Sequence, residues 1–457
     1  MPLPPPPGEM MPTASEQAFS RPSSQSNSAG PGQSLSLWDA IAMVVGIVIG
    51  SGIFRLPSFV AGNVDSSTLF LLLWVAGGAI SFVGALVYSE LASSFPSAGG
   101  DYHFLMRAYG RPVAFLFAWA RMTVMQTGSI ALVSFVFGDY ASQLMGLGPF
   151  GSSIYAAAAI VVLTVLNMFG TWQGKTAQNF LTILIAVGLL AVVALSLGRP
   201  PAPPSEGGGT VAIGGAMILV LLVYGGWNEA AYLSGEIRDV RRNMVRALLF
   251  GLGIVTVIYV AVNYAYVRTL GLDGVRKSEA VGADLMRVTL GEWSAIVLSV
   301  LVSAAALSTV NATIFTGART NYALGRDFAL FGYLGRWRLK GDTPANALLV
   351  QGVIALVLVI LGTGLQRGGI QTMVDYTAPV FWFFFLMTGI ALFILRRQKP
   401  ESAEPFRVPL YPITPLLFCA TCAYMLYSSV TFTGPGAAIG VAIVAVGIPV
   451  LLFASRK

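Results

Sequence analysis

The chain has 457 residues, of which 55% are hydrophobic and only 10% charged. A soluble protein carries roughly 25% charged residues, so a water-soluble enzyme or nucleic-acid-binding domain is excluded, and the net charge of +7 needs another explanation. Two cysteines, Cys419 and Cys422, and one histidine, His103, supply neither a disulfide framework nor a metal-ligand set.

Residues 1–34 are rich in Pro, Ser and Gly and poor in core formers, which predicts a disordered tail. The stretch lacks the basic start, apolar run and cleavage site of a signal peptide. Twelve apolar segments follow, at 37–61, 67–93, 113–142, 152–170, 178–198, 211–233, 244–269, 292–322, 345–363, 372–395, 412–431 and 435–454. Each is close to or beyond the length of about 20 residues that crosses a bilayer as a helix. Ser36 and Asp39 fit a capping box opening the first helix. If the N-terminus is cytoplasmic, the inner loops hold most of the cations, among them Arg107, Arg238, Arg241, Arg242, Arg326, Arg396 and Arg407. The charge therefore follows membrane topology, with both termini inside. The expected setting is the lipid bilayer of a plasma membrane, that of a bacterial inner membrane, and no nucleic acid is involved.

Two spans are interrupted. The first reads "VVGIVIGSGIFRLPSFV", with Gly50-Ser51-Gly52 near mid-membrane; the sixth reads "AMILVLLVYGGWNEAAYLSGEI", with Gly225-Gly226 ahead of Trp227 and Asn228. A freed backbone group in hydrocarbon costs several kcal/mol unless it is satisfied. Paired glycine breaks five spans apart point to a transporter built from inverted repeats, with its site where the breaks meet. Such a break offers amides at the start of one half-helix, which suit a carboxylate, and carbonyls at the end of the other, which suit an ammonium group. Together they grip the two ends of a zwitterion, which describes an amino acid. The alternative is glycine for close helix packing alone.

These segments also resemble a known family. "IGSGIFRLP" (Ile49 to Pro57) is similar to the first-helix signature of the amino acid-polyamine-organocation superfamily. "YSELASSFPSAGGDYHFL" (from Tyr88), "YGGWNEAAYLSGEIRDVRRNM" (from Tyr224), "GARTNYALGRDFALFGYL" (from Gly317) and "PFRVPLYPITPLL" (from Pro405) resemble its L-type amino acid transporter branch. The resemblance implies an all-α polytopic fold of twelve transmembrane helices, a LeuT-like 5+5 inverted repeat with helices 1 and 6 broken. The first repeat is expected over 35–200, the second over 205–398, and two appended helices over 399–457. It implies substrate contacts from the amides of Ser51, Gly52 and Ile53 beside Gly50. Carbonyls near Ile47, Tyr224 and Gly225 would receive the amino group, with Gly226, Trp227 and Asn228 lining the second break.

Two departures from the family pattern carry information. The lysine that substitutes for a coupling cation would fall at Ile185, counting from Gln178, and no Lys or Arg lies between Lys175 and Arg199. This puts proton coupling of the family's kind in doubt and leaves exchange, facilitated diffusion or coupling through another group. The loop after the third span, Leu144 to Ser153, has no cysteine, so no disulfide-linked heavy chain is expected.

An ionisable residue at membrane depth marks function by default. Glu229 reads as a proton carrier, as a partner for cationic substrates, or as a structural acceptor at the break. Arg121 reads as half of an ion pair or as a snorkelling side chain. Gln126 and Thr127 are candidate pocket wall. Glu90, Glu236, Asp239, Arg242 and Arg319 form either an inner latch or ordinary solvated helix ends. Ser303, Ser308 and Asn311 serve interhelical hydrogen bonds or touch substrate. One ring of Phe381 to Phe385 is a candidate gate. Cys419 and Cys422 read as packing. No catalytic grouping appears, so the protein is expected not to be an enzyme and to need no cofactor or metal. The reading is a secondary transporter of amino acids, neutral L-amino acids first. Proton-coupled transport of cationic amino acids or polyamines through Glu229 is second, and a non-transporting nutrient receptor third.

Overall fold

A computed structural model of the chain describes residues 35–97, 99–170, 175–203, 211–234, 236–338, 343–365, 368–398, 400 and 405–454. The expected tail over 1–34 lies outside them. The capping box is present: Ser36 Oγ accepts from the Asp39 amide and Asp39 accepts from the Ser36 amide, opening α1 (Leu37–Val48). The chain then leaves the helix at Ile49 and Gly50, turns through a short 3-10 segment, Ser51–Phe54, and resumes as α2 (Leu56–Ala61) with Pro57 in its first turn. Ser66 caps α3 (Ser67–Ser94). A short helix absent from the expected spans, α4 (Gly100–Tyr109), precedes α5 (Arg111–Ala120). A π turn over Arg121–Met125 joins α5 to α6 (Gln126–Leu144).

Helices α7 (Gly151–Met168), α8 (Lys175–Leu197) and α9 (Ile213–Val223) follow. The helix of α9 stops at Tyr224–Gly226 and continues as a 3-10 segment, Trp227–Leu233. Next come α10 (Val240–Lys277), kinked at Gly271, and α11 (Val281–Leu290), again outside the expected spans. The chain ends with α12 (Glu292–Asp327), α13 (Ala345–Gly364), α14 (Gly369–Leu395), α15 (Ile413–Thr431) and α16 (Pro435–Ala454).

Among the described residues ten helices are long and apolar enough to cross a membrane, and Leu37–Val48 and Ile183–Leu197 are shorter apolar pieces at the first and fifth expected spans. Side chains such as Val257 and Ile360 stay exposed on outer faces, a surface that suits lipid. The chain is a multi-pass helical membrane protein.

The helices pack in two groups. One holds α1, α2, α3, α9 and α10; the other holds α6, α7, α12 and α13. Helix α8 touches both through α10 and α12, while α14 packs on α6 and carries α15 and α16. Small residues set the spacing inside the first group: a Cβ at Gly77 of α3 would lie 2.5 Å from Val220 of α9. Both helix breaks belong to this group, and the 3-10 segment of the first break also contacts α6 and α12 of the second.

Candidate functional site

The two breaks meet. A Cβ on Gly226 would sit 3.0 Å from Ile47 Cγ2 and 3.2 Å from the Ile47 carbonyl oxygen. Gly226 has φ 102, a conformation that costs any side-chain-bearing residue energy. Ser51, Ile53, Tyr224, Trp227 and Asn228 are buried around the junction. No side chain caps the Ser51–Phe54 turn, whose Gly50 cap is extended, so the amides of its first residues have no side-chain acceptor. A Cβ at Gly50 would meet nothing within 4 Å: there is room beside these amides.

The freed carbonyls are partly served by one residue that the sequence reading missed. Tyr259 of α10 donates its hydroxyl to the Val48 carbonyl at 2.8 Å and leans to the Val223 carbonyl at 3.4 Å. A single buried hydroxyl thus touches the last turn before each break. Tyr224 donates to the Trp74 carbonyl of α3 at 2.9 Å, which anchors the second break.

Glu229 and Arg121 pair across the two groups. The π turn at Arg121–Met125 adds a residue to one helical turn, a device common at functional sites. Arg121 Nη2 lies 3.3 Å from Glu229, with side-chain exposures of 9% and 39%. Arg121 Nη1 donates to the Tyr232 hydroxyl at 3.0 Å. Trp227 stands edge-on to Tyr88 at 5.1 Å and stacks over Phe385 at 6.2 Å and 14°; Phe385 is thus the ring of the Phe381 to Phe385 run that faces the break.

Behind this lies Asp101 of α4, a residue no motif reading had singled out. It is 4% exposed, and its Oδ1 accepts from the Tyr88 hydroxyl at 2.6 Å and from Thr388 Oγ1 at 3.2 Å. Burial pushes its carboxyl up to about 6, opposed by the Tyr88 hydrogen bond.

Other candidates lie elsewhere. Gln126 donates to the Thr313 carbonyl of α12 at 2.9 Å, and Asn311 accepts from Asn167 of α7 at 2.6 Å, so both tie the second group together. Ser303 is buried and its hydroxyl finds no partner among the described residues, while Ser308 is half-buried. Ile185 is buried and apolar.

The residues read as an inner latch or as solvated helix ends have separate partners. Glu90, 1% exposed, accepts from Arg396 Nε at 2.8 Å, Arg407 Nη1 at 3.0 Å and the Val408 amide at 2.7 Å. It staples α3 to the end of α14 and the following loop. Glu236 acts through its backbone: its carbonyl accepts from the Leu35 amide at 3.0 Å, and Arg238 N–H donates to the Leu35 carbonyl at 3.0 Å. This bridge ties the entry of α1 to the exit of the second broken helix. Asp239 takes a left-handed backbone ahead of α10, Arg242 is exposed on its first turn, and Arg319 lays its guanidinium over the Phe315 ring.

At the opposite end, Arg55 pairs with Asp139 of α6 at 2.6 Å. There the Tyr140 hydroxyl donates to the Phe54 carbonyl at 2.7 Å and accepts from the Gly282 amide at 3.3 Å. Among the described residues no three His, Cys, Asp or Glu side chains group as metal ligands.

The chain is similar to known amino acid transporters along most of its length. The chain is 31% identical over 404 residues to the mouse b(0,+)-type amino acid transporter 1, covering 84% of this chain and 80% of that one. It is 30% identical over 451 residues to the rat large neutral amino acids transporter small subunit 2, covering 94% and 83%. It is 26% identical over 423 residues to the serine/threonine exchanger SteT of Bacillus subtilis, covering 91% and 95%. A family profile described as amino acid permease matches residues 35–453. With nearly the whole described chain inside that match and both broken helices meeting in its middle, the protein belongs to the amino acid permease family of the amino acid-polyamine-organocation superfamily.

Proposed function

We propose that the protein exchanges neutral L-amino acids across a plasma membrane by alternating access, binding them where the two breaks meet. The observation that carries this reading is the junction itself: uncapped amides at Ser51–Phe54, room beside Gly50, and the Ile47 carbonyl facing Gly226. The amides of Ser51, Gly52 and Ile53 would take the carboxylate, and carbonyls at Ile47, Tyr224 and Gly225 the ammonium group. Glu229 already faces the Arg121 guanidinium, so its carboxylate is engaged rather than held ready for a cationic side chain. That favours neutral substrates. Relatives named for neutral amino acids and for serine/threonine exchange support the same choice.

The packing supports a five-plus-five repeat within twelve membrane helices. Moving each span five places along maps contacts onto contacts: α6 on α7 becomes α12 on α13, α8 on α12 becomes α14 on α6, and α8 on α10 becomes α14 on α3. The ten-residue helices α4 and α11 correspond too. Each ends on a glycine of positive φ, Gly110 (φ 84) and Gly291 (φ 90), from which the next helix starts at once. In the orientation with both termini cytoplasmic, the Leu35–Ile237 bridge closes the inner side and the Arg55–Asp139 pair the outer side. The bacterial inner membrane is the setting we favour, and a loop without cysteine at 144–153 favours function without a disulfide-linked heavy chain.

The test is uptake of labelled neutral amino acid into proteoliposomes holding the purified protein, with and without unlabelled amino acid inside. Internal substrate is expected to accelerate uptake, while a proton or sodium gradient alone gives no accumulation. Accumulation driven by a proton gradient would overturn exchange and move attention to Glu229.

A further inference from the structure

We propose that Asp101 is a positioning residue for the transport cycle: it holds the second broken helix closed against α4, and takes up a proton from the water on that side when the closure forms. The proton returns to the same side when the closure opens, so none crosses the membrane. The proposal goes beyond the exchange reading and uses it only for one readout.

Two side chains reach the Asp101 carboxyl directly, and three further elements pack on α4 or on the group beside it. From α3 comes Tyr88 and from α14 Thr388, both donating to Oδ1. From the 3-10 segment of the second break comes Tyr232, whose ring lies against Gly100. A Cβ there would be 2.5 Å from the ring, and Gly100 has φ 46. No other residue allows that approach without displacing Tyr232. From the π turn comes Arg121, which donates to the Tyr232 hydroxyl and pairs with Glu229 of the same segment. Helix α5 packs on α4 from the other direction, and its Arg111 acts on Tyr102. The break therefore rests on α4 through Tyr232, immediately beside Asp101.

The charges in this group do not balance. Among the described residues, two neighbouring charges act on Asp101: Glu229, which opposes its ionised form, and Arg121, which favours it and is shared with Glu229. With both carboxylates ionised, the closed group holds one uncompensated negative charge beside a residue that is 4% exposed. Burying such a charge is expensive, and the group relieves the cost by binding a proton. The carboxylate takes the proton from hydronium, leaving a carboxylic acid and water. When Tyr232 and Glu229 swing away and water enters, the group returns to its ordinary acidity and the proton leaves.

The pH sign follows. Asp101 binds its proton more tightly when buried, so it favours the closed, folded form below about pH 4, and this contribution is lost as pH rises to about 6.

The test compares full-length wild type with Asp101→Asn and Tyr88→Phe. Amino acid exchange is measured in proteoliposomes at equal inner and outer pH from 5 to 8, and thermal unfolding in detergent is followed over pH 4 to 7. Wild-type exchange is expected to fall with rising pH, by up to about tenfold per unit beyond its midpoint if closure limits the rate. Asn keeps acceptor capacity for both hydroxyls and cannot ionise, so its profile is expected to be flat with exchange retained. Tyr88→Phe removes a donor to the ionised form, so the midpoint is expected to move up.

A wild-type pH profile retained in Asp101→Asn, or an unmoved midpoint in Tyr88→Phe, overturns the proposal. If Asp101→Asn fails to fold, the Tyr88→Phe midpoint decides. A wild type that exchanges at no pH counts against the exchange reading alone. In that case the difference in unfolding slope between wild type and Asp101→Asn still supports Asp101 if present, and overturns it if absent.

Discussion

At the first break the chain runs through Ile49 (φ −73, ψ 94) and Gly50 (φ −116, ψ −176), a path open to any residue. At the second, Gly226 turns with φ 102 against Ile47. Both are glycine interruptions near mid-helix, yet the glycines serve different ends. Gly226 is required by backbone geometry and by the closeness of the two broken helices. Gly50 is required by neither, and what it leaves is space beside unclaimed amides. The first break leaves open space, while the second is shaped by the contact between the two broken helices.

This contrast is open to direct attack. Gly226→Ala should do most damage: a left-handed backbone plus a collision with Ile47 predicts a loss of about 3 kcal/mol, read as a lower unfolding temperature together with lost exchange. Tyr259→Phe comes next. It strips the donor from the buried Val48 carbonyl and from its neighbour at Val223, which predicts about 1–2 kcal/mol and a cost to both breaks at once. If Gly226→Ala and Tyr259→Phe are then combined, their effects should fall short of additivity, because the residues share one junction. Gly50→Ala should be the gentlest on folding, within about 0.5 kcal/mol of wild type, while weakening substrate affinity about tenfold by occupying the open space. A Gly50→Ala protein that unfolds like Gly226→Ala would erase the distinction; one that binds substrate normally would show the space to be incidental.

Much of this architecture was readable before any coordinates. The spans follow from apolar length, and the breaks from Gly50-Ser51-Gly52 and Gly225-Gly226, because glycine inside a membrane helix is a local signal. The capping box at Ser36 and Asp39 is equally local. What sequence concealed was every pairing between distant residues. Tyr259 looks like one more aromatic on α10 until its hydroxyl is seen between Val48 and Val223. Glu90 read as either latch or solvated helix end, because its partners, Arg396 and Arg407, are more than three hundred residues away. The π turn at Arg121 leaves no mark in composition, since a single inserted residue changes direction without changing apolarity. Helices α4 and α11 escaped because they are short and mixed in character, although the glycines that end them stand in corresponding places.

The Glu90 staple has a consequence for how the protein is made. Its first cationic partner follows it by 306 residues and the Val408 amide by 318. At roughly 5–20 residues per second, the ribosome delivers Arg396 about 15 s to a minute after Glu90. Through that interval α3 is already in the bilayer with an acidic group at its end and no cation to meet it. The carboxylate would wait at the water's edge, so α3 is expected to reach its final depth only when α14 and the loop after it arrive. The placement of α3 is then finished by a segment made far later, and a chain truncated before Arg396 should leave α3 misplaced even though its own sequence is complete.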